Sequence, residues 1–253
     1  MGSVKRIEIG VPSKRHVPRI VVFVLFVLIM VLPTSSQATG RDSEFQPTAT
    51  AEEKARAVDL KRKAEQGNVD AQNDLTILYI NGYIVKTNAK ASAKWARAAA
   101  NQGSVKAQVN LGTYYYSGTG VAQDYAQARY WLQKAADQGN PQAEQDLGVM
   151  YVRGEGVKKN YQEALHLFLK SAEQGDVPAA YNVGLIYAKA IGVPKDEVKG
   201  YMWLLVAAHF GYVPSRKALQ DLDSQMAPPK LGEARSRADA WVKEHSDVKP
   251  ILF

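Results

Sequence analysis

The chain contains no cysteine. That excludes disulfide frameworks, thiolate metal sites, a cysteine nucleophile and a lipid-modified N-terminal cysteine. Histidine is scarce too: beyond residue 38 there are only His166, His209 and His245. No two of them have the i, i+4 spacing of a zinc-binding helix, so a zinc site would need carboxylates gathered from distant segments, and no metal or other cofactor is expected. Apart from one stretch, Ile20 to Leu32, long hydrophobic runs are missing, which argues against a multi-span membrane protein. A strong charge of one sign is also missing once position is considered. The net +7 is concentrated at the start, where Lys5, Arg6, Lys14, Arg15 and Arg19 face Glu8 alone, and the remainder is nearly balanced. A balanced chain offers no electrostatic footing for nucleic acid. What is present is ordinary globular material: 253 residues, 46% hydrophobic and 23% charged, enough to bury a core.

Residues 1–38 read as an address. The apolar run lies between Pro18 and Pro33 and follows the basic group Lys14, Arg15, His16 and Arg19. As a helix it would span roughly 20 Å, short of the ~30 Å of hydrocarbon that a stable anchor crosses. A secretory signal peptide fits better, and Ser36-Gln37-Ala38 offers the small-x-small pattern for cleavage after Ala38. The alternative is an uncleaved inner-membrane anchor. Either way the membrane is met only through this segment, and residues 39 onward are expected in the periplasm or secreted. Residues 39–50 are polar and read as a disordered leader.

The rest is organised by a period of 36 residues, set by Gly67, Gly103, Gly139, Gly175 and Gly211. Ala71, Ala107, Ala143 and Ala179 keep the same step, as do Tyr79, Tyr115, Tyr151 and Tyr187, and Val85, Val121, Val157 and Val193. Four units therefore cover 68–211. Each reads as two helices. Asn68, Ser104, Asn140 and Asp176 are N-cap residues for the first, and Gly82, Gly118 and Gly154 stop it, with Ala190 as the exception. Asn88, Asp124, Asn160 and Asp196 cap the second, with Gln127 and Glu163 placed to complete capping boxes. Gly112, Gly148 and Gly184 fall mid-helix, where glycine costs about 1 kcal/mol against alanine. Their recurrence predicts close helix approach, while Trp95, Trp131, Leu167 and Trp203 fill wider gaps. Residues 51–67 match only a second helix and read as an N-terminal cap; 212–245 read as C-terminal capping helices broken at Pro228-Pro229; 246–253 form a tail.

From Ala107 to Gly139, with the pattern A-x-x-x-L-G-x-x-Y-x-x-G-x-G-V-x-x-D-Y-x-x-A-x-x-W-x-x-K-A-A-x-x-G, the chain resembles a Sel1-like repeat. The third unit keeps Leu147, Gly148, Tyr151, Gly154, Gly156, Val157, Tyr161 and Ala164. The first and fourth depart at Thr76, Ile84, Ala190 and Gly200. The resemblance implies an all-α solenoid of helix-turn-helix repeats related to tetratricopeptide repeats, with a right-handed superhelical twist and the first helices lining a concave groove. It also implies a protein-interaction scaffold rather than an enzyme.

Some cysteine-rich secreted proteins of this kind are linked to penicillin binding or β-lactamase activity. Here the only Ser-x-x-Lys spacing is Ser246 to Lys249, in the tail, without the supporting Ser-Asp-Asn or Lys-Thr-Gly. The loops Gly118-Thr119-Gly120 and Gly154-Glu155-Gly156 follow no strand and do not continue as GK[ST], so they read as turns, not phosphate cradles. By similarity to tetratricopeptide repeats, the residue before Leu-Gly points into the groove, and that column reads Asp74, Asn110, Asp146, Asn182. Flanking groove positions include Tyr116, Arg153, Tyr181 and Lys189. Together these eight are the candidate site for a protein or peptide partner, with the polar column bonding an extended backbone and the tyrosines giving apolar contact. The opposing reading is that Asp and Asn satisfy their own helix or loop. A cell-wall or polysaccharide binder and a β-lactam hydrolase are the remaining classes.

Overall fold

A computed structural model describes residues 44–251; the signal segment and the expected cleavage after Ala38 lie outside the described residues. All described regular structure is helical: α1 (Ala51–Glu65), α2 (Val69–Asn81), α3 (Ala89–Asn101), α4 (Val105–Ser117), α5 (Tyr125–Ala136), α6 (Pro141–Arg153), α7 (Tyr161–Glu173), α8 (Val177–Ala188), α9 (Glu197–His209), α10 (Val213–Asp223) and α11 (Pro228–Glu244). None of these is long and apolar enough to cross a membrane.

Short polar side chains set the starts. Asn68, Ser104, Asn140 and Asp176 each accept from the amide three residues on, and Asn88, Asp124, Asn160 and Asp196 do the same for the second helices. Gln127 and Glu163 do not return the bond as the spacing predicts; the complete capping box belongs to Thr50 and Glu53 at the head of α1. First helices stop at Gly82, Gly118 and Gly154, with φ of 70°, 75° and 73°. Ala190 stands at the fourth such place with φ 53°, the only non-glycine residue with positive φ among the described residues.

Each first helix packs on the second helix of its own unit (α2–α3, α4–α5, α6–α7, α8–α9), and each second helix on the next first helix, starting from α1 on α2. First helices of neighbouring units also touch, at α2–α4 and α8–α10. The mid-helix glycines make the pairing close. A Cβ on Gly112 would lie 2.7 Å from Leu132 Cγ, one on Gly148 2.6 Å from Phe168 Cε1, and one on Gly184 2.7 Å from Leu204 Cγ. In the first unit Thr76 takes the glycine's place, and the repeat step puts Ala96 where the others carry Leu or Phe; both are fully buried. Loop glycines stack the units edgewise: a Cβ on Gly156 would lie 2.6 Å from the Tyr125 carbonyl oxygen.

A buried polar ladder runs beside the apolar core. Gln102 Nε2 donates to Gln72 Oε1 (2.8 Å), Gln138 Nε2 to Gln108 Oε1 (2.8 Å) and Gln174 Nε2 to Glu144 Oε2 (2.9 Å). Gln72 also donates to the Ala64 carbonyl at the end of the preceding helix (3.0 Å), and Lys170 Nζ sits 2.8 Å from the fully buried Glu144. In the first three units this column thus ties the first helix to its own second helix and, in the first two, to the helix before it, with Gln108 Nε2 donating to the Ala100 carbonyl (3.4 Å).

Both ends are held down. Within the stretch whose composition reads as disordered, Phe45 forms an antiparallel bridge with Val85, Gln46 N–H donates to Ile84 O and Lys86 N–H to Glu44 O (both 2.8 Å). Phe45 joins a cluster with Leu75, Tyr79 and Trp95, so burial of one aromatic ring and two backbone bonds order Glu44 to Gln46 against the loop. At the other end α10 packs on α9, and α11 folds back onto α9 with Trp241 against Trp203, ring centroids 5.5 Å apart.

Candidate functional site

The polar column changes along the stack. Asp74 on α2 is exposed, Asn110 on α4 and Asp146 on α6 are half-buried, and Asn182 on α8 is 1% exposed. Asp74 and Asn110 make no hydrogen bond or ion pair among the described residues, so neither spends its side chain on its own helix or loop. Asp146 does have a partner.

The flanking candidates divide differently. Tyr116, in the last turn of α4, donates its hydroxyl to Glu155 Oε2 (2.6 Å) and accepts from Arg153 Nη1 (2.6 Å), with its ring edge-on to Tyr125 at 5.4 Å. Burial, followed by the hydrogen bond to the Glu155 carboxylate, pushes the Tyr116 hydroxyl pKa well above its ordinary value, so it stays a donor. Tyr116 and Arg153 are therefore brought together as a clasp between the second and third units. Tyr181 is buried against Tyr212, with centroids 5.1 Å apart, and does not reach an open surface. Lys189 caps the end of α8 and is exposed, its side chain without a partner among the described residues. Open to solvent at the column are Asp74, Asn110 and part of Asp146; the fourth unit contributes a closed surface.

Ser246 and Lys249 are both exposed in the tail and make no polar contact there. Two features escaped the sequence reading. The Gln72, Gln108, Glu144 column repeats at the same step of 36 and was legible as a period. The contact of the tail with the start of α8 has no local signature, because it joins residues about 75 positions apart through backbone atoms.

A profile described as the Sel1 repeat matches residues 69–104, 105–140, 141–176 and 177–209, more than half of the chain and one residue out of phase with the units above. Among solved structures, a protective antigen of uropathogenic Escherichia coli displaying an SLR fold is 28% identical with a TM-score of 0.69, over 81% of this chain and 46% of its own. This chain thus spans less than half of that antigen. A Sel1 repeat protein from Oxalobacter formigenes is 32% identical with a TM-score of 0.60, over 78% of this chain and 86% of its own. No curated protein matches.

Proposed function

Since this chain belongs to the Sel1 repeat family, whose repeats typically mediate contacts between proteins, we propose that it is an exported, non-enzymatic scaffold holding a protein or peptide partner along the inner face of α2, α4 and α6. One observation carries this reading: Asp74 and Asn110, a repeat apart on successive first helices, have no side-chain partner among the described residues. Polar side chains at equal steps can accept from and donate to the backbone of an extended peptide, and the rigid stack holds them without further ordering. Tyr116 and Arg153 support the face as a clasp, and Lys189 marks its fourth-unit edge. Export rests on the apolar run after the basic group and on Ser36-Gln37-Ala38.

Photocrosslinking in cells tests the site. A crosslinker at position 110 is expected to trap a partner that one at Glu173, exposed on α7, does not. Asp74→Lys with Asp146→Lys should abolish the adduct while the melting temperature changes little; an undiminished adduct would move the site elsewhere. Export is tested by N-terminal sequencing of the mature protein, expected to begin at Thr39; full-length protein confined to the cytosol would refute it.

A further inference from the structure

The end of the chain is folded back on the fourth unit. Asp176 and Ile251 form a parallel bridge; Val177 N–H donates to Ile251 O at 3.2 Å, and Ile251 N–H donates to Gly175 O at 2.8 Å. Val177 is the first residue of α8, and its amide is one of the orphan donors at any helix start, so the tail carbonyl fills a vacancy that the helix leaves by construction. Val248 Cγ1 lies 2.6 Å from where a Cβ on Gly175 would stand.

The repeat supplies its own control. Around Gly67, Gly103, Gly139 and Gly211 nothing lies within 4 Å of the same point. Pro141, Gln142 and Asp146 on α6 are half-buried, whereas their counterparts Val177, Pro178 and Asn182 on α8 are buried. α10 packs on α8 more extensively than α8 packs on α6, with the Tyr212 ring 5.1 Å from that of Tyr181, so it covers part of this face. The other element at this corner is the tail.

Asn182 follows Pro178 by one turn on the same face. It is 1% exposed, and neither its Oδ1 nor its Nδ2 has a hydrogen-bond partner among the described residues. Covering an amide without satisfying it is costly, so the closed state carries a defect at the very column that is open in the first two units. An asparagine amide offers an acceptor and two donors, the complement of an extended backbone.

We propose that the start of α8, from Gly175 to Asn182, is a peptide-binding site occupied in cis by the chain's own tail. Its ligand in trans is an extended aliphatic segment of a partner that pairs with Gly175 and Val177 as Ile251 does, and that bonds the Asn182 amide as the described part of the tail does not. This rests on the reading of the inner face as a peptide-binding surface and adds that its fourth-unit end is held shut until the tail is displaced. The mode is strand addition to a helix corner rather than to a sheet.

The probe is a fluorescein-labelled peptide Ser-Asp-Val-Lys-Pro-Ile-Leu-Phe, the sequence of residues 246–253, titrated by anisotropy. The chain stopped after His245, and the full chain carrying Ile251→Asp, are expected to bind it. The intact chain should bind about tenfold more weakly or worse, because a docked tail leaves only a small competent fraction. Hydrogen exchange gives a second readout: Asn182→Leu removes the unsatisfied amide, so exchange at the Ile251 and Val177 amides should slow several-fold. Equal binding by intact and altered chains, or none by altered chains of unchanged melting temperature, overturns the proposal. So does loss of helical signal in both altered chains, which would make the tail part of the core, and so does an intact chain that is dimeric only while it keeps its tail, which would mean exchange between copies. Unchanged or faster exchange in Asn182→Leu would remove Asn182 from the site. Asp74→Lys with Asp146→Lys should leave peptide binding intact while abolishing the crosslink from position 110, so the two readings fail separately.

Discussion

Glycine in the middle of a helix has two opposite consequences here, and the partner across the interface decides which wins. Alone it costs about 1 kcal/mol of helix propensity; at Gly148 it lets the fully buried Phe168 come within reach of the helix backbone. Gly148→Leu is therefore expected to lower unfolding free energy by about 3 kcal/mol through overpacking, read by urea denaturation. A shift below about 1 kcal/mol would refute close approach. The first unit points to a compensated exchange, since buried Thr76 stands at the glycine's step and buried Ala96 at the step of Leu or Phe. Gly148→Thr combined with Phe168→Ala should be less destabilised than the sum of the single changes, a coupling of about 1 kcal/mol or more in a double-mutant cycle. Ala190 is the reverse case, an alanine with φ 53° where the other units carry glycine. Left-handed backbone costs a non-glycine residue about 1–2 kcal/mol, offset in part by the entropy of glycine in the unfolded chain. Ala190→Gly should raise stability by about 0.5–1 kcal/mol, seen as a higher melting temperature.

At the scale of the element, boundaries were the most legible feature. Caps and stop glycines act over three or four residues, and all eight cap positions of the four units bond as their spacing implies. Replacing one cap, Asp124→Ala, should cost about 1 kcal/mol of thermal stability. The return bonds of Gln127 and Glu163 were misread because spacing specifies reach and not orientation. Loops show a subtler dependence. Gly156 has φ 70° and meets the Tyr125 carbonyl of the previous unit, so Gly156→Ala combines backbone strain with a clash and should cost about 2 kcal/mol in urea unfolding. Ile84 departs from glycine at the corresponding step because its neighbour is the extended segment Glu44 to Gln46 rather than a helix start. From the sequence that departure read as decay of the repeat; in the structure it fits the segment that closes the end of the stack.

For the whole molecule, stability is a sum of units and the interfaces between them, so damage at one end should stay local. Phe45→Ala removes a buried ring from the cluster of Leu75, Tyr79 and Trp95, and an aromatic-to-alanine change in a core typically costs 3–5 kcal/mol. Hydrogen exchange should therefore quicken in α1 and α2 while α8 and α9 keep their protection; uniform acceleration would mean that the stack unfolds as one body.

The sequence by itself determined the period, the helix ends, the pairing of small with large residues and membership of a repeat family, because each depends on contacts within a unit or on the fixed step to the next. It also named the polar column. Only the tertiary structure decided which part of that column is open. Exposure at Asp74 and burial at Asn182 come from the same local motif, and what differs is tertiary: α10 packs on α8 with Tyr212 against Tyr181, and the tail returns to the start of α8 through backbone hydrogen bonds, which every residue but proline can make and which therefore leave no mark in the side chains.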